Sequence, residues 1–299
     1  MFLKKWSGQL PLHLMILPGL ILILIYSYGP MFGLLIAFEK YVPAKGIMGS
    51  KWVGLENFRY VMEMPESTQI IWNTVLIAMM KIVAGLIAPI ITALLLNEVR
   101  KEVFKRGVQT VVYLPHFLSW IILGGILIDI LSPTNGIVNQ VLGWFGIKAI
   151  YFLGDNHWFR YVLVITDVWK EFGFNTIVYL AALTSISPTL YEAAIMDGAG
   201  RWKQTLHVTL PGMASIIVLL VTLSLGNVLN AGFDQVFNLY SPQVYETGDV
   251  IDTFVYRMGL VDAQYGVATA VGVFRSVVSL FSISLSYYLA YRFANYRIF

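Results

Sequence analysis

Residues 70–96 read IIWNTVLIAMMKIVAGLIAPIITALLL, an apolar run in which Lys81 is the only charge. A helix that crosses roughly 30 Å of hydrocarbon needs about 20 such residues. This stretch is long enough, and its apolar character runs all the way round a helix. Five more stretches meet the same requirement: 12–38, 109–131, 159–183, 213–233 and 264–291. The 109–131 run contains Leu114-Pro115 and is followed by Ser132-Pro133, so its edges stay open. Asn139–Leu153 is partly apolar but too short to cross, and reads as a helix lying in the interface. The expectation is an all-α membrane protein with six transmembrane helices and a single membrane domain, 1–299.

Bulk composition agrees. The chain is 58% hydrophobic and 12% charged, against about 25% charged in soluble domains. The net charge of +3 comes without a basic stripe, which excludes a nucleic-acid partner. With no cysteine, a disulfide framework, a thiolate metal site and a cysteine nucleophile are all excluded. Lys4 and Lys5 precede the first apolar run, but that run is too long for a signal peptide and no small-residue cleavage site follows it. It reads as an uncleaved first span.

Basic residues near span ends set orientation. The loop 97–108 concentrates Arg100, Lys101, Lys105 and Arg106, which places it, and with it both termini, in the cytoplasm. Acidic residues such as Glu56, Glu63, Glu246 and Asp262 gather in the opposite loops, which are polar enough to serve as a docking surface. Gly29 and Gly33 form a small-xxx-small pair in the first span, as do Gly266 and Ala270 in the sixth, a pattern that lets helices approach closely in lipid.

The segment between the fourth and fifth runs carries the chemistry. It reads Glu192-Ala193-Ala194-Ile195-Met196-Asp197-Gly198-Ala199-Gly200 and closes on Val208-Thr209-Leu210-Pro211. Ser187-Pro188 supplies a helix start, since proline at the first turn forfeits no hydrogen bond. Gly198 permits a sharp turn. A short amphipathic helix in a loop cannot bury its own apolar face, and is shaped to lie in a partner's groove.

This pattern resembles the cytoplasmic-loop signature of bacterial ABC importer permeases: Glu-Ala-Ala, three residues, Gly, nine residues, Ile, one residue, Leu-Pro. Val208 stands for the isoleucine. The resemblance covers nearly the whole chain. Trp52-Val53-Gly54-Leu55-Glu56-Asn57-Phe58 looks like the first outer loop of carbohydrate permeases. Gly173-Phe174-Asn175-Thr176 resembles their fourth span. Gly232-Phe233-Asp234-Gln235 and Asp249-Val250-Ile251-Asp252-Thr253 look like the subgroup that handles oligosaccharides and polysaccharide fragments, plant-wall and uronate oligomers included.

The resemblance implies a type I importer permease fold in the bacterial cytoplasmic (inner) membrane. It implies a second homologous permease subunit, two ATPase subunits and an extracellular or periplasmic sugar-binding protein as partners, and an oligosaccharide as substrate. It also implies a coupling helix in which Glu192 and Asp197 make polar contacts with the ATPase. Ala193, Ala194, Gly198 and Ala199 would allow close packing there, and Leu210 and Pro211 complete the signature. The chain itself has no GxxxxGK[ST] loop, so ATP and Mg belong to the partner ATPases, no cofactor is bound by this chain and no residue is catalytic. The four histidines are scattered and read as packing or interfacial residues, so no metal site is expected.

Ionisable groups inside spans are costly and face protein or water. Lys81, Asp129, Asp167, Lys170, Glu171 and Arg275 fall in or near apolar runs. Trp169, Lys170, Glu171 and Asn175 in the fourth run, Asn227 and Asn230 in the fifth and Arg275 in the sixth are the candidate sugar path. Internal ion pairs that only fix helix packing are the competing reading of the charges. The competing functions are import of another solute by the same machinery and ion-coupled secondary transport. Six spans without an inverted repeat argue against the latter.

Overall fold

The computed structural model describes residues 2–294. Both chain ends, which the charge pattern assigns to the cytoplasm, lie outside the described residues. The chain divides into two compact units: Met1–Met64 with Val255–Phe274, and Pro65–Phe254 with Arg275–Phe299.

In the first unit one continuous helical rod, Leu10–Phe38, is long and apolar enough to cross a membrane, and almost none of it is buried within the chain. It leads into an antiparallel hairpin of two short strands, Glu39–Lys40 and Lys51–Trp52, in which Glu39 pairs with Trp52. The Trp52–Phe58 motif closes this turn. Trp52 stacks on Phe38 at 5.6 Å and Phe58 tilts against Phe38 at 5.3 Å. The Asn57 amide donates to the carbonyls of Ala37 at 2.9 Å and Glu39 at 3.0 Å. Gly266 fits here because a Cβ would fall 2.7 Å from the Glu39 carbonyl oxygen.

The second unit is built on the helices Pro65–Glu98 and Asn156–Thr184, which pack along each other. Ile77, Leu127, Phe159, Leu163 and Val236 form one fully apolar core, and Ala93, Tyr179, Leu183, Ile186 and Met213 a second. The helix Asn156–Thr184 has 29 residues, about 43 Å at 1.5 Å per residue. Its central charges keep it out of a count made on composition alone. By that count three helices can cross a membrane, or five if each bent pair is one span. The central charges of this helix find protein partners, described below, and its length matches the fourth span expected from the sequence.

Two spans are less regular than their hydropathy predicts. The third consists of Glu102–Phe117 and Trp120–Ile130, bent by 103°. Pro115 lies in the last turn of the first piece, Leu118 and Ser119 are extended, and the Ser119 hydroxyl accepts from the Ile122 N–H to start the second. The fifth, expected to run to residue 233, stops at Gly226. Asn227, at φ −103°, follows the last helical residue, and the chain resumes as helix only at Phe233, after Gly232 at φ +90°. Asn227 and Asn230 therefore sit on a break and not on a helix face.

Hydroxyls within the spans look after themselves. Thr74, Thr92, Thr166, Thr176 and Thr222 each donate to the carbonyl four residues earlier at 2.7–2.8 Å. In the stretch 139–153, where a short helix is expected, a helix spans Ile137–Trp144. The buried Asn139 amide donates to Ser132 and Ile150 carbonyls and accepts from the Ile150 N–H. That staple leaves Trp144 and Phe145 pointing outward, 81% and 77% exposed.

Candidate functional site

The Glu192–Pro211 segment folds as its residues require. The helix Pro188–Met196 begins after Ser187, with proline in its first turn. It ends where Gly198, at φ +75°, turns the chain. The N–H groups of Gly198 and Ala199 return to the carbonyls of Ile195 and Ala194 at 2.9 and 2.8 Å, so the last helical carbonyls are satisfied. Helix Arg201–Gly212 follows, and the Tyr191 hydroxyl meets the Thr209 hydroxyl at 3.1 Å to tie the two pieces. Gly212 lies against Ile186, where a Cβ would fall 2.7 Å from Cδ1. This contact seats the Leu210-Pro211 end on the core around Met213.

Glu192, Ala193, Asp197 and Gly198 are exposed, while Ala194 and Ala199 are half-buried. The sequence reading passed over four apolar neighbours. Leu190, Ile195, Met196 and Trp202 are exposed; Ile195 and Met196 stood in the quoted motif, where small residues drew the attention. Together these give the loop an apolar surface of the kind that lies in a groove. The loop is also braced from the side: the Arg201 guanidinium pairs with the Glu98 carboxylate at the end of the second span.

A cleft of about 670 Å³ opens between the second, fourth and fifth spans. Of the seven candidate path residues, Glu171, Asn175, Asn227 and Asn230 line it. Lys81, Asp167, Ser224 and Gly232 join them. Trp169, Lys170 and Arg275 are not in this lining. Lys170 is buried behind it, where its ammonium donates to the His116 carbonyl at 2.8 Å and to Glu171 Oε1 at 2.9 Å, over the Trp120 ring. His116 Nδ1 lies 2.7 Å from Glu171 Oε2, and its ring stacks on Phe174 at 4.0 Å. His116 thus packs, as read from sequence, and also holds a residue of the cleft lining. Arg275 pairs with Asp252. Burial raises the Asp252 carboxyl above the usual carboxylate range, and the guanidinium offsets only part of the rise.

The charges in the cleft are therefore balanced by protein. Asp167 faces Lys81 at 3.1 Å and Glu171 holds Lys170. What the cleft offers a solute is amides, hydroxyls and carboxylate acceptors beside apolar walls.

Residues 85–295 match the family described as binding-protein-dependent transport system inner membrane component. The chain belongs to this family. It is the permease subunit of an ABC importer, a membrane protein of the type I fold. The permease is 42% identical, over 98% of its own length and 91% of the relative's, to the polygalacturonan/rhamnogalacturonan transport system permease protein YteP of Bacillus subtilis (strain 168). It is also 42% identical to protein LplB of the same organism, over 97% of this chain and 89% of that one. Among solved structures, it resembles a chain of a bacterial ABC transporter involved in the import of the acidic polysaccharide alginate. The TM-score is 0.91 and the identity 39%, covering 98% of this chain and 99% of that one. A bacterial alginate transporter in complex with an alginate pentasaccharide-bound periplasmic protein matches with a TM-score of 0.89, at 39% identity, over 97% and 96% of the two chains.

Proposed function

We propose that this permease, paired with a second homologous one, forms the membrane path for a uronate-containing oligosaccharide or polysaccharide fragment that an external binding protein delivers. ATP hydrolysis belongs to two separate ATPase subunits, which use Mg and seat the helix Pro188–Met196 on the cytoplasmic side, where both termini also lie. The observation that carries the reading is the cleft around Asn175, Asn227 and Asn230. Polar lining at membrane depth is tolerated where it faces a cavity, and amides beside apolar walls suit a hydroxyl-rich solute with CH faces. The names of the relatives, which concern polygalacturonan, rhamnogalacturonan and alginate, support an acidic sugar. Balanced charge in the cleft fits passage without tight capture, with selection made at the binding protein.

The test has two parts. The cognate binding protein is screened against neutral and uronate oligosaccharides, and uptake is measured in proteoliposomes holding the permease pair and the ATPases. Binding restricted to neutral sugars removes the acidic assignment. Uptake by the single chain, without ATPases, removes the importer assembly.

A further inference from the structure

The fifth span loses its helix between Asn227 and Gly232, inside the unit that forms the cleft. Helix Ala214–Gly226 ends, and helix Phe233–Leu239 begins after Gly232 at φ +90°. An interruption at membrane depth persists only where other groups satisfy the freed backbone and hold it in place. Lys81 of the second span does this. An ammonium has three donors. One donates to the Ala231 carbonyl at 2.7 Å, one to Gln235 Oε1, and the third faces Asp167 Oδ1 at 3.1 Å. The Gln235 amide in turn donates to the Leu163 carbonyl at 2.7 Å and to the Thr166 hydroxyl at 2.8 Å. The break is thereby tied at Ala231 to the second span, and beyond it at Gln235 to both the second and the fourth. Gln235 has no exposure at all, so water cannot replace these bonds.

All three Lys81 donors are engaged by protein. Although it lines the cleft, Lys81 has none left for a sugar carboxylate, which separates it from Asn227 and Asn230. We propose that Lys81, acting with Asp167 and Gln235, is a positioning residue that holds the break in the fifth span so that Asn227 and Asn230 face the solute. The inference rests on the reading of the cleft as the sugar path.

The chain has no cysteine, so Asn230→Cys places a single thiol at the break. The assembled transporter is reconstituted in proteoliposomes. Thiol reactivity is measured with a cationic methanethiosulfonate, in the otherwise native chain and in the Lys81→Met/Asp167→Leu background. Replacing a buried ion pair by apolar residues of similar volume is often neutral for stability, so the pinning is removed while the helices stay packed. The expected result is an about tenfold fall in thiol reactivity, the scale on which displaced supports of a site act. Lys81→Met/Asp167→Leu without the thiol should assemble with a modestly lower thermal unfolding midpoint, because the Ala231 carbonyl and Gln235 Oε1 lose their donor, and should lose uptake of a galacturonate oligosaccharide digest. Equal reactivity in the two backgrounds overturns the positioning role. Thiol reactivity in the native chain that is indifferent to digest-loaded binding protein and ATP overturns the path reading alone. Should the double variant fail to assemble, Gly232→Ala decides. It keeps the polar side chains of Lys81, Asp167 and Gln235 but sets a methyl 3.1 Å from the Lys81 ammonium on a left-handed backbone, so it disturbs the break and its tether together, and unchanged reactivity and uptake in it overturn the proposal.

Discussion

Arg201 opens one helix and Glu98 closes another, and the two side chains pair. Each charge sits at the helix end whose dipole opposes it. Apart, both are disfavoured; together, each cancels the other's penalty. The pair joins the end of the second span to the candidate coupling loop, so movement of one is felt by the other. Both side chains are more than half exposed, so solvent screens the attraction. A double-mutant cycle with Arg201→Ala and Glu98→Ala, read as thermal stability of the assembled transporter, is expected to give about 0.5 kcal/mol. Single reversal of either charge should lower ATP-driven uptake, and the Glu98→Arg/Arg201→Glu exchange should restore it. An exchange no better than the single reversals would show that the pair does not transmit.

Gly198 is a conformational requirement without a steric one. Its φ is +75°, yet nothing lies within 4 Å of the position a Cβ would take. Gly198→Val therefore carries only backbone strain, about 1–2 kcal/mol, while Gly198→Asn is better tolerated in that geometry. The valine variant should insert normally and lose sugar-stimulated ATPase activity, with the asparagine variant retaining most of it. Equal activity of both would show that the turn is not required for coupling.

Gly173 is the opposite case. A Cβ there would fall 2.1 Å from the Val112 carbonyl oxygen, backbone that cannot step aside. Gly173→Ala should destabilise the permease by about 1–3 kcal/mol, seen as a lower unfolding midpoint in detergent. An unchanged midpoint would mean that these helices do not approach so closely.

Arg275 holds Asp252, whose side chain is 14% exposed. Arg275→Gln strands a mostly buried carboxylate, a class of change costing about 3–5 kcal/mol when burial is complete. The expected phenotype is reduced stability and membrane abundance, with the preference among sugars unaltered. A stable variant with altered preference would return Arg275 to the sugar path.

Hydropathy made the helices legible because lipid demands a long apolar run whatever the neighbours do. It could not show where the runs break. The fifth run remains apolar through Leu225, Val228 and Leu229, yet its helix ends at Gly226 and the break is held at the Ala231 carbonyl by Lys81, 150 residues away in sequence. The 187–200 segment was readable because its turn chemistry is local: Ser187, Pro188 and Gly198 act on their own backbone. The cleft was half readable. Asn175, Asn227, Asn230 and Glu171 line the cleft, but which charges face it depends on pairings between distant helices. Lys170 and Arg275 found protein partners, while Lys81 and Asp167, visible in the sequence as buried charges, joined the lining. The exposed Met196 and Trp202 carry no signal in a sequence already rich in apolar residues.

The threonine hydroxyls that bond their own helix also bear on biogenesis. The hydroxyls of Thr74 and Thr92 are satisfied within their own helix, so they bring no orphan donor into the hydrocarbon and need no second span. Lys81 and Asp167 have no such local remedy, since they satisfy each other across two spans; Lys170 and Glu171 pair within their own helix, and Glu171 also reaches the third span at His116. Lateral exit of the second span is thus favoured by waiting for the fourth. The same ion pairs that shape the cleft thereby impose an order of assembly on the nascent chain.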